Sequence, residues 1–482
     1  MRKFSVKCLL KLLSAFALIM SSCTETNDLL STIPVDNVKG VAHVKVEKLF
    51  KALDCKIENG KIVLPPALGK YANRIDGEQL AEIAELSKAL DYKDVLAFNY
   101  DNAQFFTAGV SDKAKLDDFM SSHNYVATSE NGYELYKLKK CILITNGTQV
   151  WITIDGLETN VPGLADGLNA GNCGSHEIAK TDVSGNQESV TEDGTVAKVA
   201  ELTEKAKTEN WGSLEIAKTV LSGNEMLSFV AKKMVDDQLL CGSAEAEDET
   251  LAISVKSVNY EGEDIEVADI KEIDTDFLRY VPGSFNLVAA AGVKDVDWNA
   301  LAGYAGGVLD RSTLMIVKMV SEDLSKIDGT LAIAVKVDEN ANFNNVEGID
   351  ALVMAHMSQA NIDDVLKKVK GFRLPYTEDK KGVIAFNLGL GNKKIYVGNV
   401  DGYLGISTIP FDADQNNSYA TTFLGKKFAC ALDLPKELGL MKDIPFGVDM
   451  TVDVESNQFN VKMKLTDTDT PVLVALMQLM IM

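Results

Sequence analysis

The chain has 482 residues, 46% of them apolar, which is enough for two to four globular domains and excludes a disordered chain. Its 48 basic residues face 70 acids, a net charge of −22 that repels phosphate backbones and argues against nucleic acid as a partner. Seven cysteines without a close pair are not a disulfide framework in a chain this long.

At the N-terminus Arg2, Lys3, Lys7 and Lys11 precede the apolar run from Leu12 to Met20, the charge-then-apolar order of a secretory signal. The run is too short to span a bilayer. Ser21 and Ser22 lead directly into Cys23, and this ending resembles a bacterial lipoprotein signal, although Met20 stands where leucine is usual. The resemblance implies that residues 1–22 are removed and that Cys23 is the lipid-attachment residue, carrying acyl chains that insert in a membrane. Each buried methylene adds about 0.8 kcal/mol, so two or more chains hold a soluble domain stably. The other reading is an ordinary signal peptide cut nearby, with Cys23 a free thiol. Residues 23–35 are polar and read as a tether.

Residues 36–275 form the first half. A strand over 38–46 runs into a short helix over 47–53. Asp76, with Gln79 three residues on, caps a helix whose Leu80, Ile83, Leu86 and Leu90 recur at helical spacing. Strands over 95–100 and 104–110 follow, then a helix capped by Ser111 or Asp112, with Leu116, Phe119 and Met120 inward. Strands over 133–138, 141–145 and 149–154 complete the set, the last two joined by Asn146-Gly147, a strong hairpin signal. Strands over 250–256 and 265–273 read as a closing hairpin.

Residues 276–482 repeat that order. A strand over 285–293 leads to a helix capped by Asp297, with Trp298, Leu301, Ala305, Val308 and Leu309 on one face. Strands over 330–336 and 349–357, a helix after Ser358 with Gly371 as its stop, and strands over 383–388, 394–397 and 403–407 follow. The half closes on a hairpin of 448–454 with 458–465. Matching landmarks lie 235 to 247 residues apart, which reads as an internal duplication. The phrase Thr-Leu-Ala-Ile-x-Val-Lys stands at both 250 and 330 and suggests shared strand chemistry. The apolar segment 471–482 reads as a helix docked on the last sheet.

A smaller repeat lies inside the first half: residues 174–186 match 212–224 in ten of thirteen positions at a spacing of 38. The second copy keeps an apolar face through Trp211, Leu214, Ala217, Val220 and Leu221, and Ser222 with Glu225 reads as a capping box for a helix through Leu227, Val230 and Met234. The first copy has lost that face to His176 and Asp182, so the segment from about 163 to 210 is expected to be a mobile insert. The fold class expected from all this is α+β: two similar halves, each a mainly antiparallel sheet with helices packed mainly on one face.

Residues for chemistry are sparse. His43 and His356 sit in alternating strand patterns and read as satisfied structural residues; His123 lies in a turn. Cys173 and His176 make half a metal site, and their repeat partners are Trp211 and Leu214. Asp338 opens a calcium-like loop whose sixth position is Phe343 and whose twelfth is Ile349, where glycine and glutamate are needed. Asp412, Asp414 and Asn416 open a second such run, which ends on Phe423. Cys141 and Cys430 lie in apolar runs as small hydrophobes. No catalytic, cofactor or metal residues are assigned.

With the signal ending at Cys23, an Ile-Pro-Val segment entering a strand and helix, and Leu-Ala-Ile-x-Val-Lys strands in a duplicated body, the chain resembles the uncharacterised envelope lipoproteins of Bacteroidales. That resemblance implies a lipid-anchored protein of the bacterial cell envelope, at the outer membrane, and carries over no catalytic residue. The expected function is non-enzymatic binding or scaffolding, with an envelope protein or glycan as partner and the membrane held through Cys23. The alternatives are a glycan-processing hydrolase using acidic residues and a small-ligand or peptide carrier with a pocket between the halves.

Overall fold

The computed structural model describes residues 38–58, 61–63, 88–100, 103–130, 133–138, 142–153, 214–232, 238–265, 270–293, 325–342, 347–371, 375–379, 381–387, 393–413, 419–436 and 446–481, with positions 65, 66, 85, 86 and 438. The chain divides into two compact units, Met1–Ile265 with Thr470–Met482 and Glu266–Asp469.

The first unit runs β1 (Val38–Lys45), α1 (Val46–Ala52), a small hairpin of β2 (Lys56–Glu58) and β3 (Lys61–Val63), β4 (Leu90–Tyr100), β5 (Ala103–Val110) and α2 (Lys113–Ser122). It continues through β6 (Ala127–Glu130), β7 (Tyr133–Lys137), β8 (Ile142–Thr145), β9 (Gln149–Thr153), α3 (Leu214–Leu221), β10 (Leu227–Lys232), β11 (Leu239–Glu247) and β12 (Thr250–Val258). Its strands pair antiparallel in the order β6-β7-β8-β9-β5-β4-β1-β10-β11-β12. Because side chains alternate across a strand, neighbours such as Val95 and Leu96, or Val150 and Trp151, serve opposite faces. Leu96, Phe98, Phe105, Trp151 and Val230 pack with Ala217 and Leu221 of α3 on one face. Val95, Ala108 and Val150 pack with Val46 and Phe50 of α1 and Leu116, Phe119 and Met120 of α2 on the other.

The second unit runs β13 (Ile270–Lys271), a 3₁₀ helix (Thr275–Tyr280), β14 (Leu287–Val293), β15 (Gly329–Asn342), β16 (Glu347–His356), α4 (Gln359–Gly371), β17 (Tyr376–Glu378) and β18 (Ile384–Asn387). Then come β19 (Lys394–Val400), β20 (Tyr403–Ser407), α5 (Ala420–Phe423), β21 (Phe428–Leu434), β22 (Gly447–Glu455) and β23 (Gln458–Thr466). Its order, β17-β18-β19-β20-β16-β15-β14-β21-β22-β23, repeats the first unit strand for strand, again all antiparallel. Helix α4 stands in the chain where α2 does, and α5 directly precedes β21 as α3 precedes β10. The internal repeat is therefore a repeat of topology.

Turn chemistry sets the registers. Asn146 Oδ1 accepts the N–H groups of Thr148 and Gln149 at 3.0 and 2.9 Å, and Gly147 takes φ +86° to close β8 on β9. Two-residue turns join β11 to β12 at Asp248-Glu249, β19 to β20 at Asp401-Gly402 and β22 to β23 at Ser456-Asn457. Asp248, Asp401 and Ser456 adopt φ of +48°, +49° and +54°, the left-handed start that matches strand twist in such hairpins.

The α+β expectation is overturned. The architecture is a large antiparallel sheet structure, and among the described residues the longest helix, α4, has 13 residues. Nor do helices keep to one face: α2 and α3 cover opposite faces of the first unit's sheet. Part of the overestimate comes from the helix expected through Leu227, Val230 and Met234, of which residues 227–232 are strand β10, held in the sheet between β1 and β11. Ser228 and Val230 alternate inward there with Leu227, Phe229 and Ala231 on the other side, a period of two that the Ser-x-x-Glu signal obscured. The closing hairpin of the first half is β11 with β12; the end of β12 also turns back on residues 264–265, through the Val258–Asp264 bridge and the Ile265 N–H on the Ser257 carbonyl at 3.2 Å, while Ile270 and Lys271 pair with β14. Both copies of Thr-Leu-Ala-Ile-x-Val-Lys are strands, but β12 and β15 occupy different places in the repeated order, so the phrase does not mark equivalent positions. The helices expected after Asp297 and over most of 76–90, and the segment 163–210, lie outside the described residues.

The C-terminal apolar segment is helix α6 (Val472–Ile481). It belongs to the first unit, packing against α1, β11 and β12 rather than on the last sheet, with the Val472 N–H bonded to the Asp248 carbonyl at 2.8 Å.

Candidate functional site

The first unit carries an open cleft of about 870 Å³ lined by Lys45, Glu47, Lys48, Phe50, Lys51, Cys55, Lys93, Asp94 and Asn224. Its shape follows from α1. Val46 and Phe50 stand four residues apart and face inward, fixing the helix on the sheet, which turns Lys45, Lys48 and Lys51, each three residues from the next, along another side. Lys93 and Asp94 come from β4, next to the irregularity in its pairing with β5 between Asp91 and Leu96.

The charged side chains at the cleft are held by defined partners. Lys48 Nζ donates to Glu245 Oε1 at 2.8 Å, and Glu245 Oε2 accepts the Met226 N–H at 2.6 Å, so this pair ties α1 to β11 and to the entry of β10. Lys51 meets Glu247 at 3.1 Å with side chains 71% and 68% exposed. That carboxylate holds the Lys51 ammonium above its ordinary pKa, by hydrogen bond first and by charge second. Lys45 Nζ donates to a neutral acceptor, Asn224 Oδ1, at 2.9 Å.

Asp94 connects the cleft to the core. His43, 1% exposed, donates from Nδ1 to the Leu221 carbonyl at 2.6 Å, and its Nε2 lies 2.8 Å from Asp94 Oδ1. Leu221 ends α3, so the imidazole joins β1, β4 and the C-terminus of α3, where carbonyls lack helical partners. Half-buried Cys55 has its thiol pushed up to about 11 by desolvation and, less, by Asp54, which keeps it protonated and unreactive at neutral pH.

The other residues singled out by sequence are placed as follows. His356 Nδ1 bonds the Asp328 carbonyl at 2.7 Å, and its ring meets Tyr403 edge-on at 5.5 Å. Tyr403 donates to Asp274 at 2.9 Å; burial, then that carboxylate, raises its pKa strongly. His123 caps α2, with Nδ1 3.0 Å from the Phe119 carbonyl. Asp338 pairs with Lys336 at 2.9 Å. Cys430 is half-buried in β21 and Cys241 buried in β11, both as thiols. Cys23, Cys141, Cys173, His176 and Asp414 lie outside the described residues. Among the described residues no group of three or more His, Cys, Asp or Glu is placed to hold a metal, and no helix is long and apolar enough to cross a membrane.

Sequence reasoning missed the cleft. The Lys45, Lys48, Lys51 spacing was there to be read, but Asn224, Glu245 and Glu247 are nearly 200 positions away and only pairing in the sheet brings them to α1.

No family model matches the chain, and no curated protein matches it. Among solved structures, crystal form I of TP0453 gives a TM-score of 0.25 at 9% identity, over 49% of this chain and 80% of that one. Crystal form III of TP0453 gives 0.27 at 7% identity, over 52% and 83%. The β chain of DNA polymerase III from Streptococcus pneumoniae gives 0.12 at 9% identity, over 96% and 98%. At these scores the likenesses carry no conclusion about fold or function.

Proposed function

We propose that this chain is a lipid-anchored protein of the bacterial envelope, held through Cys23, that works by binding rather than by chemistry. The observation that carries the reading is the state of the ionisable groups at the cleft. His43 is engaged at both ring nitrogens and Cys55 is kept as the thiol, while the lysines present a charged, concave, water-accessible wall. Such a wall suits recognition; a nucleophile or general base needs a group left available to the substrate. The N-terminal signal supports the address, and the charge of −22 favours cationic, neutral or locally matched partners over a polyanion.

The test is metabolic labelling with an alkyne fatty acid together with in-cell crosslinking and affinity capture, comparing wild type with Cys23→Ala. Label on the wild type alone, with an envelope component captured only by the labelled form, is the expected result. A wild-type chain without label removes the anchor; a labelled chain that captures nothing removes the binding role.

A further inference from the structure

We propose that the cleft on the first unit is a site for a phosphate-bearing ligand, an inference that deepens the binding role above and rests on it. Four lysines, from the end of β1, from α1 and from β4, line one concavity in a chain whose acids outnumber its bases by 22. The charges facing the space are Lys45, Lys48, Lys51 and Lys93 against Glu47 and Asp94, with Glu245 and Glu247 behind Lys48 and Lys51. Those four acids do not cancel the site evenly. Asp94 is turned to His43 in the core. Glu245 is committed both to Lys48 and to the Met226 N–H, so that pair stays as structure.

The receiving groups are Lys45 and Lys51. The Lys45 ammonium is met, in an exposed hydrogen bond, by a neutral amide oxygen, which solvates the charge without neutralising it. Lys51 and Glu247 form an exposed pair, which is worth little and exchanges readily for another anion. With a screening length of about 8 Å at physiological salt, an anion in the cleft responds to these near charges more than to the acidic surface at large. Among the described residues the cations lining the cleft are lysines, and ammonium groups converging from different directions match the several oxygens of a phosphate. Phe50 and the lysine stems supply an apolar wall for whatever carries the phosphate.

The test is calorimetric titration of the full acylated protein in neutral detergent with inorganic phosphate, pyrophosphate and glycerol 3-phosphate. Saturable binding that weakens with salt, and falls by roughly tenfold or more in Lys45→Gln with Lys51→Gln, is expected, a loss of the size set by charge-assisted hydrogen bonds. Lys462→Gln in β23 is the control and leaves binding unchanged. Preference for glycerol 3-phosphate identifies a lipid headgroup as the source, preference for the inorganic anions a soluble phosphate, and either supports the site. Absence of saturable binding by a protein whose circular dichroism is native, or binding indifferent to the lysine substitutions, overturns it. In that case capture of a partner by the anchored chain still stands as the test of the binding role, so the two can fail separately.

Discussion

His43 supplies a connection that backbone pairing cannot. β1 and β4 already share a ladder, but the C-terminal carbonyls of α3 have no strand to bond, and the buried imidazole reaches Leu221 from one nitrogen and Asp94 from the other. His43→Ala leaves a buried carbonyl without its donor and a void beside it, so a loss of about 2–4 kcal/mol is expected. It is read as a lower urea midpoint at unchanged slope. The structural role of this residue was legible in the sequence, since the alternation through Val41 and His43 points both to one face. Cys55 makes a second expectation at this scale. Its thiol titrates near 11 in the folded chain against 9.0 for a free one, so at pH 8 its thiolate population is lower by about a hundredfold. Alkylation by iodoacetamide under native conditions should be slower by that factor than in urea, with the difference closing as pH rises toward 11. The sign follows from the raised value: the folded state keeps its proton longer, so the stability this burial contributes is intact below pH 9 and is lost as pH rises through the folded value. Rapid native alkylation of Cys55 at pH 8 would contradict the burial.

Among the described elements, β13 is open to disruption by a single substitution. It pairs with the end of β14 across two residues, and a Cβ placed on Gly292 would sit 2.0 Å from the Lys271 carbonyl oxygen, against backbone that cannot swing aside. Gly292→Ala is expected to release β13 at a cost of about 1–3 kcal/mol. The loosening should spread to Asp274, whose N–H donates to Thr330 Oγ1 at 2.7 Å and whose carboxylate accepts from Tyr403. Amide exchange over 270–280 should then accelerate, while Gly371→Ala, where nothing lies within 4 Å, leaves it unchanged. Elements of this kind divide by how local their causes are. The Asn146-Gly147 hairpin and the α2 cap, where Asp112 Oδ1 accepts the Lys115 N–H at 3.2 Å, are written in adjacent residues and were legible. Strand β10 was not. Ser222 and Glu225 follow α3, with the Ser222 hydroxyl bonding back to the Thr219 carbonyl at 3.0 Å, so the same spacing that starts a helix here finishes one. Only the ladders to β1 and β11 decide that the next residues are a strand.

For the whole molecule, a repeat seen in the sequence as steady offsets is the same ten-strand order used twice, and that much was readable because each unit's connections keep their sequence. The return of the last thirteen residues to the first unit was not, because an apolar run states that it will be buried without stating where. Val472, Val474, Ala475 and Met477 of α6 are buried, with the helix lying on α1, which lines the cleft, and on β11 and β12. Full burial of a valine or methionine side chain contributes about 1.5–3 kcal/mol, so the segment supplies several kcal/mol to a unit whose other residues all come earlier in the chain. A chain ending at Asp469 should therefore keep amide protection in β14 to β23 and lose it in α1, β11 and β12, where the Asp248 turn also loses its bond from Val472. If α6 only shields those elements, supplying residues 470–482 as a separate peptide should restore protection in proportion to its concentration. Equal protection of the first unit with and without the segment would show that α6 rests on it without supporting it. If the truncated chain also loses phosphate binding while Lys45 and Lys51 are intact, the cleft depends on α6, and the first unit reaches its binding form only once that helix has docked.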